Sequence, residues 1–150
     1  MSGTHSQMLF HIVFSTKRRT PWITPDVAKR LYPYMGGIVR AEKDVLYDIG
    51  GIEDHVHLLI RSRPEASISN LMRTVKARSS KWVHAEFPEL KKFAWQEGFG
   101  AFTVSKSQEP AVKRYIARQA QHHKKEDFKS EYVRMLLAHE IEFEMRHLFD

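Results

Sequence analysis

The run Asp54-His55-Val56-His57-Leu58-Leu59-Ile60 constrains the fold of this chain more than any other stretch. Read as a strand, its side chains alternate faces, so His55 and His57 point one way while Val56 and Leu58 point the other. The positions between the histidines then serve a core. The two imidazoles form a pair of nitrogen donors on a stiff element, of the kind a divalent metal can use. A hydrogen-bonded structural pair is the plainer alternative, and this motif alone does not decide between them.

The surrounding pattern supplies the rest of a fold. A first strand covers Met8–Ser15 and runs into the basic turn Lys17-Arg18-Arg19-Thr20-Pro21. Thr24 is placed as an N-cap with Pro25 at the first helical position, and that helix continues through Val27, Leu31 and Tyr34 toward Val39. Pro33 and Gly36-Gly37 predict irregularity within it. A second strand from Val45 to Ile52 turns tightly at Glu53-Asp54 into His55–Ile60, which makes an antiparallel hairpin. From Ser67 to Phe87, Ile68, Leu71, Met72, Val75, Ser79, Trp82 and Val83 share one helical stripe, and Pro88 closes the helix. Trp95 to Val104 reads as a strand or strand pair broken by glycines. A helix starting near Glu109-Pro110 carries Tyr115 and Gln119 toward His122-His123. A last helix runs from about Ser130 to His139, followed by a tail from Ile141 to Asp150.

The order β-α-β-β-α-β-α predicts an α+β fold of the ferredoxin-like, split βαβ kind. It has an antiparallel sheet with helices on one face, a further helix after the last strand and a helical extension. In that topology the first and third strands are the central pair, so both histidines stand on a central strand. At 150 residues the chain reads as one domain, with residues 130–150 as its extension.

Composition narrows the partners. The net charge of +6 favours polyanions. From Arg61 to Lys81 there are six basic residues and one acidic, and from Lys106 to Lys129 seven basic and three acidic. The last twenty residues reverse the balance, with five acidic and two basic. The absence of cysteine excludes disulfides, thiolate metal sites and a cysteine nucleophile. No run approaches the roughly 18 apolar residues of a membrane span, and Met1-Ser2-Gly3-Thr4-His5 lacks the layout of a signal peptide. A cytoplasmic location is expected.

Tyr115 and Gln119, four residues apart, become neighbours on one helix near the stripe of Val112 and Ile116. A solvent-tipped packing tyrosine is the bland reading. The functional one joins helix and sheet in a single site, where Gln119 supplies a carbonyl oxygen as third metal ligand beside His55 and His57, and Tyr115 supplies a nucleophile. Three protein ligands leave positions open for phosphate oxygens, which suits Mg²⁺ or Mn²⁺. His123 projects near the same helix face as Gln119 and is a competing ligand candidate, but His122 and His123 are both read as structural, interacting with the last carbonyls of the helix.

Taken together, Asp54-His55-Val56-His57-Leu58-Leu59, Lys76-Ala77-Arg78-Ser79-Ser80, Gly98-Phe99-Gly100-Ala101-Phe102-Thr103-Val104-Ser105 and Tyr115-x-x-x-Gln119 resemble the single-tyrosine transposases of the HUH superfamily. These are small insertion-sequence transposases that act on single-stranded DNA. The resemblance implies metal-dependent cleavage and rejoining through a 5′-phosphotyrosine link on Tyr115, with recognition of DNA hairpins. It also implies a homodimer in which the tyrosine helix of one subunit completes the site of the other. Arg73, Lys76, Arg78 and Lys81 are the expected DNA-binding residues. Trp95, Phe99 and Phe102 are base-stacking candidates that more simply fill core or interface. Two other readings share these residues: a single-strand-binding regulator without activity, and a domesticated nuclease acting on hairpin repeats.

Overall fold

The computed structural model describes residues 3–149, so Met1 and Ser2, and Asp150 of the predicted tail, lie outside it. Four strands form the sheet: β1 (Met8–Ser15), β2 (Val45–Ile52), β3 (His55–Ser62) and β4 (Gly100–Val104). Their order is β2-β3-β1-β4, and every neighbouring pair is antiparallel. The expected central pair, β1 and β3, is the observed one. Strand side chains alternate, so Phe10, Ile12, Phe14, Val56, Leu58 and Ile60 share one face. Two helices cover that face, α1 (Pro25–Ala41) and α2 (Ile68–Glu86), through Leu31, Met35, Val39, Leu71, Met72, Val75 and Val83.

Local chemistry explains both helices. Thr24 accepts a hydrogen bond from the Val27 amide and caps α1, and Ser67 does the same for α2 from the Asn70 amide. Pro33 does not break α1 as its composition suggested. Pro33 and Lys29 are both exposed, so water can serve the carbonyl that proline leaves without a partner.

The opposite face of the sheet carries His11, Val13, His55 and His57. The later helices α3 (Glu109–Ala117), α4 (Gln119–His122) and α5 (Phe128–Ala138) pack over it, and α6 (Met145–Leu148) follows. A second apolar cluster of Val13, Phe102, Phe128, Tyr132, Met135 and Leu136 anchors α5 there. Gly50 admits α3, since a Cβ at this position would lie 2.8 Å from Ile116 Cγ2 and from the Ile116 carbonyl oxygen. Gly100 gives Tyr132 its place in the same way, with Cε1 2.7 Å from where a Cβ would stand.

Two segments differ from expectation. Trp95 makes only an isolated bridge to Thr16, and β4 starts at Gly100. Between them, side chains take the backbone groups a strand would have paired. Lys76 Nζ donates to the Gln96 and Gly98 carbonyls, and Gln96 Oε1 accepts from the Ser15 amide. The helix expected to run from Glu109 past Gln119 is interrupted at Arg118. No proline or glycine marks the break. It turns Gln119 inward, where it is buried, and leaves Arg118 exposed.

Candidate active site

β3 holds His55 and His57 on one face, both fully buried. Each ring has an orienting partner on the nitrogen that faces away from the site. His55 Nδ1 lies 2.8 Å from Asp54 Oδ1, and His57 Nδ1 lies 2.8 Å from His11 Nε2 on β1. A metal-binding imidazole needs such a partner to set its tautomer and angle. When Nε2 of His57 serves as a ligand, Nδ1 becomes the donor and His11 Nε2 the acceptor.

The remaining groups come from beyond the sheet. Gln119 Oε1 accepts from His55 Nε2 at 2.9 Å. His123, at the end of α4, packs its ring against His55 with centroids 4.4 Å apart. Glu131, on α5 and fully buried, enters between them. Its Oε1 lies 3.4 Å from His55 Nε2, 3.2 Å from His57 Nε2 and 3.1 Å from His123 Nε2. Its Oε2 accepts from Gln119 Nε2 at 3.3 Å and from the Tyr115 hydroxyl. Arg134 Nη2 donates to that hydroxyl at 2.9 Å. Tyr115 therefore stands beside the histidines of its own chain, its ring 5.7 Å from that of His57.

This donor set fits a metal ion. One ligand atom each from His55, His57, His123 and Glu131 lies within 4.8 Å of the others. His123 Nδ1 is buried without a hydrogen-bond partner, and Nε2 meets only Glu131 Oε1, an arrangement that costs free energy unless something else binds there. His123, assigned to the helix end from the sequence, belongs to this cluster instead. Glu131, Arg134 and His11 were not singled out at all. For Glu131 a signal existed: Phe128, Tyr132, Met135 and Leu136 form an apolar stripe, and a carboxylate at position 131 falls on it.

Electrostatics follow from burial and from Glu131. Burial opposes protonation of His55, but its contacts with Asp54, Glu131 and Gln119 outweigh that and push its pKa up to about 9. Burial prevails at His57, aided by His55 and His123, and brings it down to about 4. His11 falls to about 3, from burial and then from His57. Burial works against the charge of Glu131, yet His123, His55 and His57 hold the carboxyl far below the usual range. Burial raises the Tyr115 phenol, and Glu131 raises it further against the pull of Arg134.

Opposite pH trends follow for the metal-free protein. His55 has a folded pKa above its unfolded 6.5, so its contribution is complete below pH 6.5 and is lost as pH rises through about 9. His57 and His11 have depressed folded values, so their contribution is present above 6.5 and is lost as pH falls toward 4 and 3. Thermal melts in EDTA should show maximal stability near pH 6.5, declining on both sides. A melting temperature that rises steadily from pH 4.5 to 9 would contradict this balance.

The expected DNA contacts lie elsewhere. Arg73, Arg78 and Lys81 are exposed on α2, across the sheet from the histidines, and Lys76 is engaged with the Gln96 and Gly98 carbonyls. Trp95 and Phe102 are core residues, the indole donating to Ser79 Oγ at 2.9 Å.

The split βαβ sheet has counterparts among solved transposases. A transposase structure from Deinococcus radiodurans R1 has a TM-score of 0.67 at 24% identity, over 79% of this chain and 95% of that one. A REP-associated tyrosine transposase bound to a REP hairpin has a TM-score of 0.58 at 18% identity, over 82% and 74%. These two establish the fold. The chain belongs to the IS200-like transposase family, whose model matches residues 4–119. It is 27% identical over 129 residues to the ISDra2 transposase TnpA of Deinococcus radiodurans, covering 75% of this chain and 84% of that protein. It is 24% identical to the transposase of insertion sequence IS200 from Salmonella typhimurium, covering 83% and 84%. The protein is thus a transposase, a DNA-binding enzyme of DNA transposition. The family match ends at Gln119, so His123, Glu131 and Arg134 lie beyond it.

Proposed function

We propose that this transposase cuts and rejoins single-stranded DNA through Tyr115, beside a divalent ion held by His55, His57, His123 and Glu131. The observation that carries the reading is the placement of one buried carboxylate, Glu131, with Oε1 facing three imidazoles and Oε2 facing the tyrosine hydroxyl. Gln119 Oε1, beside His55 Nε2, is a further oxygen donor to the same place. Three imidazoles and a carboxylate favour Mn²⁺ over Mg²⁺, which prefers an octahedron of oxygens. A divalent ion bound there would act as a Lewis acid that neutralises and polarises the phosphodiester.

The protein's own groups supply the remaining chemistry. Tyr115 gives up its proton and its oxygen attacks phosphorus. The bond to the 3′ oxygen breaks, and that oxygen takes a proton to become a free hydroxyl. A 5′-phosphotyrosine diester remains, which a later 3′-hydroxyl can reverse without ATP. Arg134, 2.9 Å from the phenol oxygen, is placed to hold negative charge there.

Hairpin binding, as in the REP-hairpin complex of the REP-associated tyrosine transposase, is carried to this chain with Arg73, Arg78 and Lys81 as duplex phosphate contacts. Residues 130–149 work with the rest as one unit, since they supply Glu131. No described helix is long and apolar enough to cross a membrane, and action on chromosomal DNA in the cytoplasm follows from the reading.

On this reading the groups of one chain suffice, and subunits do not exchange tyrosine helices. Purified protein with a hairpin-bearing single strand and Mn²⁺ should cut the strand, and EDTA should prevent it. Mixing Tyr115→Phe with His57→Ala subunits should restore no cutting. Recovery in the mixture would establish a site shared between subunits, as the resemblance implies. Tight binding with every strand left intact would favour the non-catalytic regulator.

A further inference from the structure

Tyr115 lines a groove of about 660 Å³ between α3, α4 and α5. Arg114, Arg118, Lys125 and Arg134 line it, together with Tyr115 and Glu126. Among the described residues, Arg114, Arg118 and Lys125 have no carboxylate partner, whereas Arg134 is paired with Glu126 at 3.1 Å. Glu126 also meets His122 Nε2 at 2.7 Å. Among the residues lining the groove, Glu126 is thus the one carboxylate set among the cations, in the kind of position a phosphate would take. His55 and His57 are fully buried, so a strand cannot reach the centre through the sheet. The cations of α2 are on the far face.

We infer that this groove binds the sugar-phosphate backbone of single-stranded nucleic acid on either side of the scissile phosphate, with Arg114, Arg118 and Lys125 as its phosphate contacts and Glu126 as the anion displaced on binding. The inference rests on Tyr115 as nucleophile, because that reading is what brings a phosphate to the groove. It assigns the two basic surfaces different duties: the groove takes the single strand, and α2 takes duplex. Glu126 keeps Arg134 and His122 paired until a strand arrives, which disfavours occupancy by small anions.

The test is fluorescence anisotropy in EDTA with a labelled oligothymidine of about 15 nucleotides. All proteins carry Tyr115→Phe, so the probe is never cut. Each phosphate contact on a single strand contributes about 0.7 to the slope of log affinity against log salt. The triple variant Arg114→Ala, Arg118→Ala, Lys125→Ala should therefore lower that slope by about 2. Arg73→Ala, Arg78→Ala, Lys81→Ala should lower it less, and Glu126→Gln should tighten binding. Apart from Tyr115, which is replaced in the parent too, all altered residues except Glu126 are exposed, so circular dichroism should match the parent. A groove variant with the parental slope, a larger loss from α2, or no binding of the probe by the parent would each overturn the inference. Cleavage is read separately with unmodified Tyr115. Absence of any DNA adduct there would sink the nuclease reading and not the groove.

Discussion

Replacing Glu131 by alanine should lower the affinity of the site for Mn²⁺ by about 100-fold or more. Loss of a residue that only orients a ligand already costs about 10- to 100-fold, and Glu131 offers a ligand atom itself, 3.1 to 3.4 Å from three imidazole nitrogens. The same change takes one of two carboxylate partners from the protonated, buried His55 ring and leaves only Asp54. Breaking a buried ion pair by removing one partner costs about 3–5 kcal/mol, so the metal-free variant should also melt well below the parent. Glu131→Gln separates the two contributions to metal binding. It keeps the volume and an acceptor for the Tyr115 hydroxyl but removes the charge, so its affinity should still fall. Calorimetric titration with MnCl₂ reads these effects directly. Parental affinity in both variants would mean that the carboxylate only tethers Tyr115 and that the histidines bind without it.

Tyr115→Phe should abolish DNA cutting while leaving metal binding and fold in place. The substitution removes one hydroxyl that is bonded to Glu131 and Arg134. A hydrogen bond of this kind contributes about 0.5–3 kcal/mol net, the upper part applying to charged partners. The ring, which keeps its packing near His57 and His122, remains. A stability change of that size does not unfold the protein, so loss of product reports the missing nucleophile. Persistent cutting by Tyr115→Phe would point instead to water as the attacking group.

What the amino-acid order made legible, and what it hid, follows from the range of the interactions involved. β1 and β2 were readable to the residue, because apolar alternation and a tight Glu53-Asp54 turn are local signals. His55 and His57 stood out for the same reason: strand alternation alone puts both on one face. Glu131 did not, because its meaning depends on α5 folding back over the sheet, 74 residues from His57 along the chain. Its place on the stripe of Phe128, Tyr132 and Met135 was visible, but a lone carboxylate at such a position names no partner. His123 shows a related limit. The interruption at Arg118 rotates the residues that follow, and tertiary hydrogen bonds to Gln119 accompany it with no breaker residue. The α2 cations illustrate the converse. Charge counts located a basic helix correctly, but they could not show that it lies across the sheet from Tyr115.

The most direct test of the central claim is to identify the covalent product. Protein incubated with single-stranded DNA bearing a hairpin and Mn²⁺ is digested with nuclease and trypsin, and its peptides are measured by mass spectrometry. The account predicts a nucleotide joined through its 5′ phosphate to the peptide containing Tyr115, absent when EDTA is added. Cut DNA with an unmodified Tyr115 peptide, or an adduct on another residue, would contradict it.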